Sequence, residues 1–301
     1  MSQACSVSAR KKYGLARVCR VWAIPRSTVY HHRVQGVEAA RSPGKRGPLG
    51  ACSDEELVEK IKEVQRGSPW VNEGHRKVWA RLRTLKHIRT ARRRVLRVMR
   101  ENDLLAVVGP QHPRGPKNHD RTIIPDAPDR MWGTDGTSTL TGEGQATVFF
   151  VIDHHTAECL SVHAARRGTR WEAVQTLRRA VWLRFGRYEP SVAGSGKLAL
   201  RHDHGSQFTS CAFQDELRFL AIASSPSYVR EPEGNGCSER FVRTLKEQLL
   251  WLRRFETVEE LTSALQEFRE RYNREWRIER HGWRSPSAYR ESLQESAEQA
   301  A

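Results

Sequence analysis

The 301-residue chain lacks any run of about 18 uninterrupted apolar residues, so no membrane-spanning helix is expected. Residues 1–12 have no apolar stretch of the kind that forms a signal peptide. Cysteine is sparse and scattered. Cys5, Cys19, Cys52, Cys159, Cys211 and Cys237 contain no Cys-x-x-Cys pair, which argues against both a disulfide framework and a cysteine-rich zinc knuckle. The pairs His31-His32 and His154-His155 have no cysteines at zinc-finger spacing. These absences point to a soluble, cytoplasmic protein with reduced thiols.

Acidic residues are also scarce, but only in one part of the chain. Residues 1–130 hold 28 Lys and Arg against 12 Asp and Glu, and the remainder holds 23 against 23, so the whole net charge of +16 lies in the N-terminal part. A generically basic surface would not be partitioned in this way. The pattern fits a segment that grips a polyanion, with nucleic acid the natural partner, joined to a part that does chemistry.

The basic part reads as helical. Leu15, Val18 and Cys19 form a short stripe, Ala23-Ile24-Pro25 breaks it, and Ser27 is placed to cap a second helix. The arrangement fits a helix-turn-helix over residues 1–35 with Arg26, Ser27, Thr28 and Tyr30 at the start of the reading helix; its spacing fits an ordinary helical hairpin equally well. A Gly- and Pro-rich linker over 36–52 leads to a helical DNA-binding module over 53–106. There Ser53 caps a helix bearing Leu57, Ile61 and Val64, and a second helix from about Gly74 carries Val78, Leu82 and Leu85. Thr90 caps a third helix, with Ala91, Val95 and Val98 inward. That third helix displays Arg92, Arg93, Arg94, Arg97 and Arg100 with no acid before Glu101, a pattern suited to phosphates or base edges.

Five prolines, Pro110, Pro113, Pro116, Pro125 and Pro128, mark a second linker over 107–128, and the pattern then turns to strands. Residues 131–140 and 145–153 form a hairpin across Thr141-Gly142-Glu143-Gly144, and 159–165 a third strand. Further elements are a helix over 171–185 with Trp171, Val174, Leu177, Val181 and Phe185 at helical spacing, a strand over 198–202, a helix over 206–220, a strand over 221–224 and a long helix over 237–253. That order belongs to an α/β domain.

Three acids stand out within it: Asp135, Asp203 and Glu239, the last two with 35 residues between them. Pairing Leu140 with Gln145 sets Asp135 opposite Phe150. The competing acid Asp153 then lies opposite Trp132, ~10 Å away at ~3.3 Å per residue, and reads as a turn residue. Asp203 ends its strand, where a sheet of this type opens a crevice. On the last helix Glu239, Arg243 and Lys246 fall within about 60° of one another at 100° per residue, with Phe241, Leu245, Leu249 and Leu252 opposite. A carboxylate would thus stand over the site with two cations beside it to hold a DNA strand. Three such carboxylates repel by about 4 kcal/mol per pair at ~4 Å, which is intelligible chiefly at a divalent-metal site.

These residues carry a family resemblance. Trp132-Gly133-Thr134-Asp135, Asp203-His204-Gly205-Ser206-Gln207-Phe208, Asn235-Gly236 with Glu239, Thr244-Leu245-Lys246, Tyr272-Asn273 and Ser285-Pro286-Ser287-Ala288-Tyr289 resemble motifs of bacterial insertion-sequence transposases, the product of the second reading frame, in the superfamily shared with retroviral integrases. The resemblance implies a ribonuclease H-like core over 129–290, a mixed five-stranded sheet with flanking helices, followed by a tail over 291–301. It implies two Mg²⁺ or Mn²⁺ ions on Asp135, Asp203 and Glu239, and nicking of insertion-sequence ends followed by joining of 3′-hydroxyls to DNA. Arg243 and Lys246 would contact the DNA end. A homo-oligomer and a segment from an upstream frame are the implied protein partners. The departures are Gly136 in place of a branched apolar residue, His202 in place of Ser, and no proline before His281. A chain of this kind acting only as a DNA-binding regulator is the alternative, against which the intact acid triad argues.

Overall fold

The computed structural model describes residues 3–38, 52–107, 124–194, 197–227 and 235–300, in two units, Met1–Gly50 and Ala51–Ala301. The expected linkers fall mostly outside the described residues. The first unit holds α1 (Leu15–Val21), with Cys19 buried, and α2 (Arg26–Glu38). Ser27 is not the cap: the chain enters α2 straight from Pro25, whose carbonyl accepts the Thr28 N–H at 3.1 Å.

The second unit begins with α3 (Asp54–Arg66), α4 (His75–Leu85) and α5 (Arg92–Glu101), packed about Leu57, Ile61, Val64, Val78, Leu82, Val95, Val98 and Met99. Ser53 caps α3 through a reciprocal box: its Oγ accepts the Glu56 N–H at 3.1 Å, and Glu56 Oε2 accepts the Ser53 N–H at 3.0 Å. Thr90 does not cap α5; Ala91 is the exposed cap residue, and the Thr90 carbonyl instead accepts Trp79 Nε1–H at 2.7 Å. Leu85, expected inside, is exposed at the end of α4.

There follow β1 (Met131–Thr141), β2 (Gly144–Asp153), β3 (Cys159–Ala165), α6 (Arg170–Phe185), β4 (Ala199–His202), α7 (Ser206–Thr209), α8 (Cys211–Leu220), β5 (Ala223–Pro226) and α9 (Gly236–Leu245). A π-helical turn (Lys246–Leu250), α10 (Val258–Glu275), a 3₁₀ turn (Glu279–His281) and α11 (Pro286–Ala300) complete the chain. The five strands form one mixed sheet in the order β3-β2-β1-β4-β5, antiparallel across β3-β2-β1 and parallel across β1-β4-β5. This is the mixed sheet of the ribonuclease H-like core that the motifs imply. The hairpin has the expected register, Leu140 opposite Gln145 and Asp135 opposite Phe150.

Each sheet face is covered, so the strands are apolar on both sides. One face sets Val148, Phe150 and Ile152 against Phe241, Phe268 and Tyr272 of α9 and α10. The other sets Phe149 and Val151 against Val174, Leu177, Val181, Phe213 and Leu217 of α6 and α8. Trp171 departs from its expected inward position; it is 61% exposed in the first turn of α6, under the Arg170 guanidinium. Gly186 ends α6 in the left-handed region at φ 69°, where a side chain would be strained. The helix expected over 206–220 is broken at Ser210, whose Oγ accepts the Phe213 N–H and so starts a second helix.

Candidate active site

Backbone pleating puts Gly133, Asp135 and Phe150 on the sheet face that α9 covers, because side chains alternate and directly paired residues share a face. Gly133 controls how near α9 comes: a Cβ there would fall 2.5 Å from Ser238 Oγ and 2.5 Å from His154 Nε2. Only a residue without a side chain lets the first turn of α9 press against β1. Ser238 is fully buried at that contact, and Glu239 follows it in the same first turn, exposed. The partial positive charge of the helix N-terminus favours the ionised form of Glu239. Asn235 Nδ2 reaches the Thr134 carbonyl at 3.5 Å, a further tie between the start of α9 and β1.

Asp203 directly follows β4, the strand parallel to β1, and is exposed. Its Oδ1 accepts the Gly205 N–H at 2.8 Å, turning the chain into α7. A Cβ on Gly205 would lie 2.4 Å from Gln207 Nε2 and 2.9 Å from Asp203 Oδ1, so a side chain there would have to displace the Gln207 amide. His202 is a structural brace: it is buried, its Nδ1 is 2.7 Å from the Asp203 carbonyl and its Nε2 2.9 Å from Ser224 Oγ. Burial pushes its pKa down, which keeps the ring neutral. The sequence marked His202 only as a departure from the family; its bonding explains how a histidine is accommodated there.

Asp135 shows that the acids sense one another. Burial pushes its carboxyl up to about 6, and the charges of Asp203 and Glu239 add to that rise, against the Gly136 N–H at 2.7 Å and the charge of Lys246. Those charges come from the residue just past β4 and from the first turn of α9. Among the described residues, no three His, Cys, Asp or Glu side chains stand close enough to hold a metal ion between them. The donor set still fits a hard divalent cation: every candidate ligand is a carboxylate, and their mutual repulsion is what such an ion relieves. Asp153, the competing acid, is committed elsewhere; it accepts Thr156 N–H, Thr156 Oγ–H and Asp129 N–H at 2.7, 2.8 and 2.9 Å and so builds the turn after β2.

The expected cations are dispersed. Arg243 is exposed and paired with Glu247 at 2.7 Å. Lys246 opens the π-helical turn, half-buried and within electrostatic reach of Asp135. The same turn interrupts the long helix expected over 237–253; with more than 3.6 residues per turn it throws later residues out of register, and Leu252 is 56% exposed. Arg26, Ser27, Thr28 and Tyr30 are exposed on α2, and Arg92 and Arg93 are exposed on α5. Arg94 and Arg97 are not a displayed pair: both guanidiniums close on Asp54 at 2.7 Å, and Arg97 also meets Glu101. The compensating acid comes from α3, across the helix packing, where a scan along α5 does not find it. Arg92 joins Arg76 on Glu279, at 3.1 and 3.0 Å.

The chain matches known families over most of its length. The integrase core domain family matches residues 125–232 and, through a second model of that description, 220–286; the HTH-like domain family matches 53–112. Transposase InsD for insertion element IS2A/D/F/H/I/K of Escherichia coli is 31% identical over 225 residues, covering 72% of each chain. InsD for IS2-9 of Escherichia coli K12 is likewise 31% identical, over 72% of this chain and 71% of its own. Among solved structures, the catalytic core domain of BIV integrase is 19% identical, covers 56% of this chain and 99% of its own, and has a TM-score of 0.41. The HTLV-2 integrase catalytic core domain in complex with magnesium is 17% identical, with coverage of 56% and 99% and a TM-score of 0.41. The chain belongs to the insertion-element transposases that carry an integrase core domain.

Proposed function

We propose that the chain is a metal-dependent DNA strand transferase, which nicks insertion-sequence ends and joins the freed 3′-hydroxyls to DNA. The observation that carries this reading is Asp135, a carboxylate on the sheet face that α9 covers, raised to about 6 by burial and by the charges of Asp203 and Glu239. Asp135, Asp203 and Glu239 are the ligands we assign to two Mg²⁺ or Mn²⁺ ions. Bound there, divalent ions supply activation of the attacking oxygen and neutralisation of the leaving oxygen.

The protein's own groups do the rest. Asp135, on β1, and Asp203, just past the end of the neighbouring parallel strand β4, form one side of the site; Glu239, in the first turn of α9, forms the other. Arg243 and Lys246 lie further along the same helical segment and hold the phosphates of the DNA end. Arg26, Ser27, Thr28 and Tyr30 on α2, with Arg92 and Arg93 on α5, are the contacts we assign to DNA outside the reacting bond. Arg94 and Arg97 serve the module's own packing through Asp54. Joining two ends calls for at least two copies of the chain, and a segment from an upstream frame is a further candidate partner.

The deciding experiment incubates the purified chain with duplex oligonucleotides copied from the ends of its own element, in Mg²⁺. Wild type is expected to nick and join at defined positions, while Asp203→Asn binds the same DNA and does neither. Equal cutting by the variant overturns the assignment.

A further inference from the structure

The π-helical turn after α9 is held from outside by a contact that none of the family motifs includes. Gln248, in the middle of that turn, presents its side-chain amide to the backbone of Val71, in the connection between α3 and α4. Its Oε1 accepts the Val71 N–H at 2.9 Å and its Nε2 donates to the Val71 carbonyl at 3.1 Å. One side chain thus satisfies both backbone groups of one residue, much as a neighbouring strand would.

Val71 is a firm template because Trp70 is anchored. The Trp70 ring is 4% exposed and stands edge-on to Phe268 at 5.8 Å and to Trp276 at 5.0 Å, both in the core beneath α10. Val71 itself is 45% exposed, and the amide clasp buries little apolar surface. What the clasp contributes is therefore orientation. A π turn is a rare backbone form that needs something to hold it, and such turns concentrate at functional sites. Lys246 lies two residues before Gln248 in the same turn, and its carbonyl accepts the Trp251 N–H at 2.9 Å. The clasp therefore holds the turn that carries Lys246.

We propose that Gln248 is a positioning residue: by clasping Val71 it fixes the π turn and with it the position of Lys246, so that the helical module over 52–107 sets part of the geometry of the catalytic core. This inference rests on the strand-transferase reading. It adds to that reading a residue that touches neither DNA nor metal and acts through Lys246.

The test measures single-turnover nicking of an end-sequence duplex by the full chain in Mg²⁺, at saturating DNA, for Gln248→Ala, Lys246→Ala and the double variant. Gln248→Ala is expected to lower the rate about tenfold, as a small misplacement of a positioning group does. DNA affinity is expected to fall no further than in Lys246→Ala, and the thermal midpoint to stay within about 2 °C of wild type. The double variant is expected to be no slower than Lys246→Ala alone, because one residue acts through the other. A wild-type rate in Gln248→Ala, or a double variant whose loss is the product of the two single losses, overturns the proposal. If wild type fails to cut any end duplex, the strand-transferase reading falls, and hydrogen exchange decides this inference separately. Faster exchange at residues 246–250 in Gln248→Ala sustains the clasp, and unchanged exchange removes it.

Discussion

Arg290, on the C-terminal helix, holds Asp129 at the approach to β1: its Nη1 lies 3.0 Å from Asp129 Oδ2, across 161 positions of sequence. Arg184 of α6 donates to the same oxygen from Nε at 2.7 Å, and Asp129 Oδ1 accepts Trp132 Nε1–H at 3.0 Å. The end of the chain is thereby tied to the strand that carries Asp135. Burial alone would push the Asp129 carboxyl up, but Arg290 and Arg184 outweigh it and hold it below the usual range. A depressed carboxylate contributes stability that is fully present above its unfolded pKa, about 4, and lost as pH falls through the lower folded value. Urea unfolding is expected to show a loss of stability below about pH 4 that is smaller in Arg290→Ala. At neutral pH that variant is expected to be less stable by about 1–2 kcal/mol, since Asp129 loses one of its two arginine partners and keeps Arg184. An unchanged acid limb would show that the pair does not couple to folding.

Gly133→Ala tests the contact that brings α9 to β1. The new methyl would meet Ser238 Oγ and His154 Nε2 at 2.5 Å, so the helix must move outward and take Glu239 with it. Strand transfer is expected to fall about a hundredfold. Stability is expected to fall by about 1–3 kcal/mol, as in other overpacked sites. Full activity with an unchanged melting point would mean that α9 tolerates a looser seat.

Divalent metal is expected to stabilise the folded chain through the three carboxylates. Addition of Mg²⁺ or Mn²⁺ should raise the thermal midpoint of wild type in proportion to the logarithm of metal concentration above Kd. Asp135→Asn should be more stable than wild type without metal, because it removes a buried charge that Asp203 and Glu239 oppose, and should lose the metal-dependent rise. An equal rise in the variant would place the binding ions elsewhere.

Two arginines on α5 should separate DNA contact from packing. Arg93→Ala is expected to weaken DNA binding and lower its salt slope by about 0.9 with stability unchanged, if Arg93 neutralises one phosphate. Arg94→Ala breaks the half-buried pair with Asp54 and its bond to the Cys52 carbonyl, both at 2.7 Å, and is expected to cost about 1–2 kcal/mol of stability with the salt slope preserved. Filter binding across salt concentrations, paired with urea unfolding, reads both quantities.

Removing the first unit should act on DNA affinity alone. A chain of residues 51–301 keeps the helical module, the sheet and the Trp70 anchor within one unit. Its affinity for end DNA is expected to drop and its salt slope to flatten by about 0.9 per lost phosphate contact, with its melting transition retained. A salt slope equal to that of the full chain would take α2 out of the DNA interface.

Much of the core was legible because its signals are local. The hairpin register follows from alternation and a four-residue turn, so the pairing of Asp135 with Phe150 could be read from residues 131–153 alone. Ser53 and Glu56 announce their helix start at a spacing of three. Helix ends were less legible where the deciding partner was distant: Thr90 has the chemistry of a cap, but its carbonyl is engaged by Trp79 and the helix starts one residue later. The five arginines of α5 looked alike in sequence, and only Asp54 on α3 separates Arg94 and Arg97 from Arg93.

By itself the sequence determined the strand order along the chain, the three acids and the family, since periodicity, turn chemistry and motif spacing are written in neighbouring residues. Tertiary structure alone decided how near α9 comes to β1 through the missing side chain of Gly133, which arginines are paired, and the π turn clasped by Gln248. These depend on contacts between residues far apart in sequence. Which of several chemically equivalent partners is met there is settled only when the helices and sheet have packed.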